Sequence, residues 1–299
     1  MHPTFLIIGT AKAATTSLYH YVGQHPNVFM SPVKEPRFFH FAGQPISNAG
    51  PGDTWSNRKT VRNWNDYQAL FVGGESANAL GEASPVYLYS PHAASHIKKH
   101  LPDVRLIAVL RDPAERAYSH YLHLRRDARE PCEDFLEALS REAERVRVGW
   151  EWSWHYRSLG FYNAQLDRYA KSFSPDKIRV YLYDELISNP VPIVEEIFDF
   201  IGVDSSFIPD TRSQMNPGGL PSNEPLYNIA TQYDHPLRKA VRPFVPEAVR
   251  TRLLTRLRKR SMARPQLPSE ARTDLVRGFH DDIEQLQERI GRDLTAWMR

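Results

Sequence analysis

The chain has 299 residues, of which 41% are hydrophobic and 24% charged, with a formal net charge of +3. This length supports one large α/β domain or two small ones, and a mean hydropathy of −0.52 describes a soluble globular chain. The single cysteine, Cys132, excludes an internal disulfide and a cysteine-based zinc site. No run of 18 apolar residues is present to span a membrane, and the mild positive balance suits an anionic ligand without demanding nucleic acid. The chain as given passes from Met1-His-Pro-Thr into an apolar run without a signal-peptide pattern, so the expected setting is reducing and cytoplasmic.

The apolar run Phe5–Ile8 predicts a buried strand. Gly9, small residues, Lys12 and then Thr15, Thr16 and Ser17 follow, after which Leu18, Tyr21 and Val22 recur at helical spacing. A strand, a small-residue loop and a hydroxyl-rich helix start together make a phosphate cradle. The first N–H groups of a helix lack partners within it, and its dipole leaves partial positive charge at that end. A loop for ATP or GTP needs its lysine directly before the magnesium-binding hydroxyl, whereas Lys12 stands three residues ahead of Thr15.

The stretch from Lys12 to Leu18 resembles the 5′-phosphosulfate loop of sulfotransferases that use 3′-phosphoadenosine 5′-phosphosulfate (PAPS), usually written Lys-x-Gly-Thr-Thr-Ser-Leu. The resemblance implies that Lys12 neutralises charge on the bridging oxygen. It also implies that backbone N–H groups of Ala13, Ala14, Thr15, Thr16 and Ser17 hold the 5′-phosphate. Ala14 departs from the family glycine, and at positive φ an alanine costs roughly 1 kcal/mol or more. A strand–helix turn without a ligand is the plain alternative.

Asn27–Met30 predicts a second strand. Lys34-Glu35-Pro36-Arg37-Phe38-Phe39 comes next and resembles the Lys-Glu-x-x-Phe-Phe element of carbohydrate sulfotransferases. There the glutamate is the general base, a role that maps onto Glu35; a surface ion pair of Glu35 with Arg37 is the alternative. Residues 43–60, rich in Gly, Pro, Ser and Asn, predict a long lid-like excursion, and Trp64–Phe71 a short helix. Leu80-Gly-Glu82-Ala-Ser84-Pro85 reads as a strand and turn. It is similar to a family element near the acceptor cleft, so Glu82 is either a second site carboxylate or the partner of Lys98 or an arginine.

Val104–Leu110 is apolar enough for a central parallel strand. It delivers Arg111, followed by a helix with Asp112 as N-cap and Pro113 at its first position. The pattern Arg-Asp-Pro-x-x-Arg-x-x-Ser carries the 3′-phosphate site in PAPS enzymes, and this implies that role for Arg111 and Ser119, eight residues apart. A guanidinium forks two phosphate oxygens and a hydroxyl donates to another.

Glu133–Arg147 predicts a solvated helix of alternating charge. Trp150, Trp152 and Trp154 read as core, with a sugar-stacking surface as the alternative. Lys177–Tyr183 predicts another strand. The helix after it carries Ile193, Val194, Ile197, Phe198 and Ile201 on one face and ends at Gly202. Pro209–Tyr227 reads as loop. Arg250–Arg264 holds seven basic residues and no acidic one; the resemblance allows Arg260 or Arg264 to assist the 3′-phosphate. A last helix carries Leu275, Phe279, Ile283, Leu286, Ile290, Leu294 and Trp297 on one stripe.

The expected fold is thus a three-layer α/β, P-loop-like domain over residues 1–299, with a parallel sheet of about five strands and helices on both faces. The implied reaction moves a sulfuryl group from PAPS to a hydroxyl or amine of a carbohydrate, glycolipid or other natural product, with Glu35 as base and no metal. A P-loop kinase for a small metabolite and a non-catalytic nucleotide-binding module are the competing readings. His40 is the next candidate base.

Overall fold

The structure, a computed structural model, describes residues 1–212, 220–221, 262–263 and 265–299. Five parallel strands form one sheet: β1 (Phe5–Gly9), β2 (Val28–Met30), β3 (Ala79–Ala83), β4 (Arg105–Leu110) and β5 (Ile178–Leu182), in the order β2-β3-β1-β4-β5. The predicted strands are all present with ends shifted by a residue or two: β1 gains Gly9, β3 begins at Ala79 and stops at Ala83, β2 and β4 each lose their first residue, and β5 loses one at either end.

Every residue of β1 is buried, because alternate side chains enter two different cores. Leu6 and Ile8 join Leu106, Ala108 and Leu110 under one face. Phe5 and Ile7 join Ile107, Val109 and Tyr181 under the other. The second face is covered by α1 (Thr15–Val22) and by a helix at Pro190–Ile201 that buries Val194, Ile197, Phe198 and Ile201. Gly202 closes that helix in the left-handed region at φ 82°, as its position predicts. The first face is covered by Val86–Tyr89, Ala93–His100, a long helix at Pro113–Arg126, Tyr162–Ala170 and Ser269–Ile290. Helices on both faces of a parallel sheet make the three-layer α/β arrangement.

Four expectations need correction. Residues 43–60 are tied down rather than free-standing: a short helix, Asp53–Asn57, forms there, and Asp53 accepts from Gly50 N (2.8 Å), Arg129 Nη2 (2.6 Å) and Trp154 Nε1 (3.3 Å). The predicted helix at 133–147 splits into Phe135–Ser140 and Glu142–Arg147. Its polar residues are not all solvated. Glu142 is buried against the backbone N–H groups of Arg157 (2.6 Å) and Ser158 (2.9 Å), and Arg145 forks buried Glu130 at 2.9 and 2.7 Å. Glu82 meets neither Lys98 nor an arginine. The last helix stops at Gly291, φ 63°, so Leu294 and Trp297 dock beyond its end. Trp152 and Trp154 are buried, as the core reading expects. Most of Pro209–Tyr227 and of Arg250–Arg264, including Arg260 and Arg264, lies outside the described residues.

Candidate active site

Strand order decides where the side chains meet. Because β1 lies between β3 and β4, the loop after β1 is flanked by whatever follows those two strands, at the carboxyl edge where open α/β sheets bind ligands. Gly9 ends β1 against Val86–Tyr89, and a Cβ there would lie 2.6 Å from Leu88 Cβ. Thr10 N then donates to Val109 O at 2.7 Å, fastening the loop to β4.

Lys12 and Ala14 both adopt positive φ, 72° and 58°. Ala14 thus stands where the family motif has glycine, in the left-handed region that L side chains disfavour. It caps α1 without a side-chain hydrogen bond, and the first turn of α1 carries no acidic residue. The helix therefore presents a positive end to the loop. Thr15, Thr16 and Ser17 form that first turn, whereas Ala13 N already donates to Thr10 O at 3.3 Å. Relief of the strained φ predicts that Ala14→Gly is neutral or stabilises the protein by up to about 1 kcal/mol, instead of destabilising it as a helix-interior glycine does. Urea denaturation of the two proteins checks this.

Arg111 leaves the end of β4 and donates to Lys12 O at 3.3 Å. Its guanidinium is oriented by Glu115 at 3.4 Å and lies over the Tyr183 ring at 4.6 Å. Asp112 caps the helix Pro113–Arg126 as predicted, accepting from Ala114 N (2.9 Å) and Glu115 N (3.1 Å). Ser119 sits one turn beyond Glu115 on that helix, half-buried.

On the other side of the loop, Glu35 N donates to Ala83 O at 3.0 Å, which hangs the segment after β2 from the end of β3. Glu35 and Arg37 are both held at positive φ, 60° and 56°, a local strain that the surrounding contacts sustain. The Glu35 carboxylate pairs with Lys34 at 2.7 Å and with Arg37 at 3.0 Å. The ion pair with Arg37 is therefore present, joined by a second one. Arg37 in turn faces buried Glu151 at 3.7 Å and lies over Trp152 at 5.4 Å. Burial pulls the Glu35 carboxyl upward, but Lys34 and Arg37 outweigh it and hold its pKa at about 2.

Glu82 is fully buried on β3, bonded by Tyr67 OH (3.2 Å) and Ser84 Oγ (2.9 Å), and burial raises its pKa to about 7. Its bonded neighbours are hydroxyls of buried residues, with no lysine or arginine among them. His40 is pushed down to about 3 by burial and then by Arg37, which leaves it neutral.

Lys12 is half-buried beside these groups. Desolvation first, then Arg126 and Arg111, lower its pKa to about 7 against the opposing pull of Asp127 and Glu35. Lys12 thus has Arg111 and Glu35 among the charged groups that act on it. His120 and His123 line the same helix face, both held well below the ordinary histidine range by burial and by cations that include Lys12. The sequence motifs pass over His123, Arg126 and Asp127, since charges at three- and four-residue spacing on a helix read as an ordinary solvated face.

A strand–loop–helix at a topological switch point, with Lys12 in the loop and no acidic residue in the first helical turn, is the arrangement that suits an anionic, phosphate-like group. Residues 3–207 match the model of the sulfotransferase family, and the chain belongs to that family. A crystal structure of a sulfotransferase from Alicyclobacillus acidocaldarius superposes over 100% of both chains with a TM-score of 0.78 and 33% identity. A sulfotransferase domain from the curacin biosynthetic pathway shares the fold at TM-score 0.50 and 14% identity, covering 98% of this chain and 99% of that one. Among curated relatives, the bifunctional heparan sulfate N-deacetylase/N-sulfotransferase 4 of Mus musculus is 26% identical over 314 residues, 99% of this chain and 31% of that protein. The Homo sapiens enzyme numbered 3 is 24% identical over 310 residues, with the same shares covered. The chain therefore spans about a third of the length of these relatives.

Proposed function

We propose that this sulfotransferase takes its sulfuryl group from PAPS and delivers it to a hydroxyl or amine on a carbohydrate-type acceptor. The observation that carries this reading is that two segments flank the loop after β1: Arg111 from the end of β4 donates to Lys12 O at 3.3 Å, and Glu35 N hangs from Ala83 O at the end of β3. Lys12 and Arg111, whose guanidinium donates to the Lys12 carbonyl, fit a donor rich in negative charge. In this reading the first turn of α1 holds the 5′-phosphate, and Arg111 with Ser119 holds the 3′-phosphate. Lys12 meets the charge that grows on the oxygen between phosphorus and sulfur as that bond breaks.

Glu35 faces the acceptor. A carboxylate with a pKa near 2 is a weak base toward a free alcohol, but the acceptor oxygen becomes strongly acidic once it bonds to sulfur. Glu35 stays ionised throughout the physiological range and takes that proton late. The heparan sulfate named in the relatives' descriptions supports a carbohydrate-type acceptor. Family membership removes the ground for the metabolite-kinase reading.

Incubation with labelled PAPS and fractionated host extract tests the proposal: one component gains the mass of one sulfate. Transfer persists in EDTA, because Lys12 supplies the cation at the reacting group; loss on chelation and recovery with magnesium overturns that assignment. Arg111→Ala weakens PAPS binding by roughly 10- to 100-fold, the worth of one charge-assisted contact. It leaves adenosine 5′-phosphosulfate, which lacks the 3′-phosphate, unaffected. Titration calorimetry with both nucleotides measures the difference.

A further inference from the structure

The last helix, Ser269–Ile290, packs against the turn where β4 gives way to the helix Pro113–Arg126. A Cβ on Gly160 would lie 2.5 Å from Phe279 Cζ and 3.1 Å from Pro113 Cβ, so nothing larger than glycine fits between them. Asp282 accepts from Asn163 N at 2.9 Å and from Ala164 N at 3.1 Å, two amides that the helix Tyr162–Ala170 leaves without partners at its start. Arg289 Nε adds a bond to Asn163 Oδ1 at 2.6 Å. These contacts fix Tyr162, which is fully buried and edge-on to Trp297 with ring centroids 6.3 Å apart. Its hydroxyl donates to Arg111 O at 2.9 Å.

Asp112 is held by the same helix. One carboxylate oxygen caps the helix Pro113–Arg126, and the other, Oδ2, accepts from Arg272 Nη2 at 3.0 Å. Arg272 is itself tied to Arg299 O at 2.7 Å and Ala296 O at 3.4 Å. The Asp112 side chain is 11% exposed and that of Arg272 27%, so water screens the pair only in part. A bare carboxylate next to Arg111 would repel an incoming phosphate, and the Arg272 guanidinium offsets that charge. Lys12 O, Glu115 and the Tyr183 ring steer the Arg111 guanidinium, whereas Tyr162 grips the backbone that carries it. A two-pronged fork on a phosphate needs both, because its reach is set by where its backbone stands.

We infer that Tyr162 and Arg272 are positioning residues for the 3′-phosphate, through which the last helix sets Arg111 and neutralises Asp112. The inference rests on the PAPS reading above, in which Arg111 holds that phosphate. Both residues act through Arg111 and Asp112 rather than on the nucleotide.

Adenosine 3′,5′-bisphosphate and adenosine 5′-monophosphate differ only in the 3′-phosphate, so the ratio of their affinities reads that contact alone. Calorimetry on the full chain is run with both. Tyr162→Phe deletes the hydroxyl and keeps the ring against Trp297; it weakens the bisphosphate about 3- to 10-fold and the monophosphate less than about 2-fold. Arg272→Met keeps the apolar stem and lowers the same ratio about 10-fold, and Arg272→Lys recovers part of the loss. Added to Arg111→Ala, Tyr162→Phe costs less than about 2-fold more, because its effect runs through that arginine. Equal weakening of both nucleotides, an unchanged ratio, or full additivity with Arg111→Ala overturns the inference. Wild-type protein that binds the bisphosphate no better than the monophosphate, or binds neither, instead overturns the assignment of Arg111 to the 3′-phosphate.

Discussion

Glu35→Gln lowers kcat by roughly 10²–10⁴-fold and leaves PAPS affinity nearly unchanged. The amide keeps the size and shape of the side chain but cannot accept the acceptor's proton. Folding survives the change, since Arg37 keeps Glu151 at 3.7 Å and its contacts with Ser56 and Asn57, both at 3.4 Å. Glu82→Gln serves as the comparison in the same turnover assay. Glu82 is bonded to Tyr67 and Ser84 beneath the site, so its amide costs stability more than turnover. If Glu35→Gln retains turnover while Glu82→Gln abolishes it, the base has been assigned to the wrong carboxylate.

The second large effect belongs to Lys12. Lys12→Met keeps the apolar stem and removes the ammonium, and kcat falls by about 10²–10³-fold, the usual loss when one preorganised donor to developing charge is deleted. Its lowered pKa also gives a signed pH dependence. In the free protein Lys12 is protonated below about pH 7 and neutral above it. The donor needs the charged form, so PAPS affinity falls as pH rises through 7, and binding above that pH takes up a proton. Lys12→Arg, whose guanidinium stays charged, moves that fall out of the neutral range. Calorimetry in buffers of different ionisation enthalpy reads the proton uptake directly. Affinity that is flat from pH 6 to pH 9 contradicts the assignment.

Local signals made much of the fold legible. The apolar runs of β1 and β4, the small-residue loop before Thr15, and the Asp112-Pro113 helix start are each short stretches whose physics lies within a few residues. They also place Lys12 and Arg111, because a parallel sheet sends such loops to one edge. Long-range contacts account for what was missed. Arg37 meets Glu151, and Asp53 meets Arg129 and Trp154, across separations that no periodicity encodes. Arg126 and His123 went unremarked in the sequence because Lys12, which feels the charge of the first and lowers the pKa of the second, lies more than a hundred positions earlier. Charge alternation over residues 133–147 suggested exposure, yet Glu142 and Arg145 are buried through partners outside that stretch.

Thermal denaturation with adenosine 3′,5′-bisphosphate, set against ATP with magnesium, tests the central claim most directly. A ligand held by the first turn of α1 and by Arg111 stabilises the folded protein by RT ln(1 + [L]/Kd), about 2.7 kcal/mol at a hundredfold excess over Kd. The account predicts a rise in Tm with the bisphosphate that Arg111→Ala largely removes, and little response to ATP with magnesium. A rise with ATP and magnesium alone, or none with the bisphosphate at millimolar concentration, contradicts it.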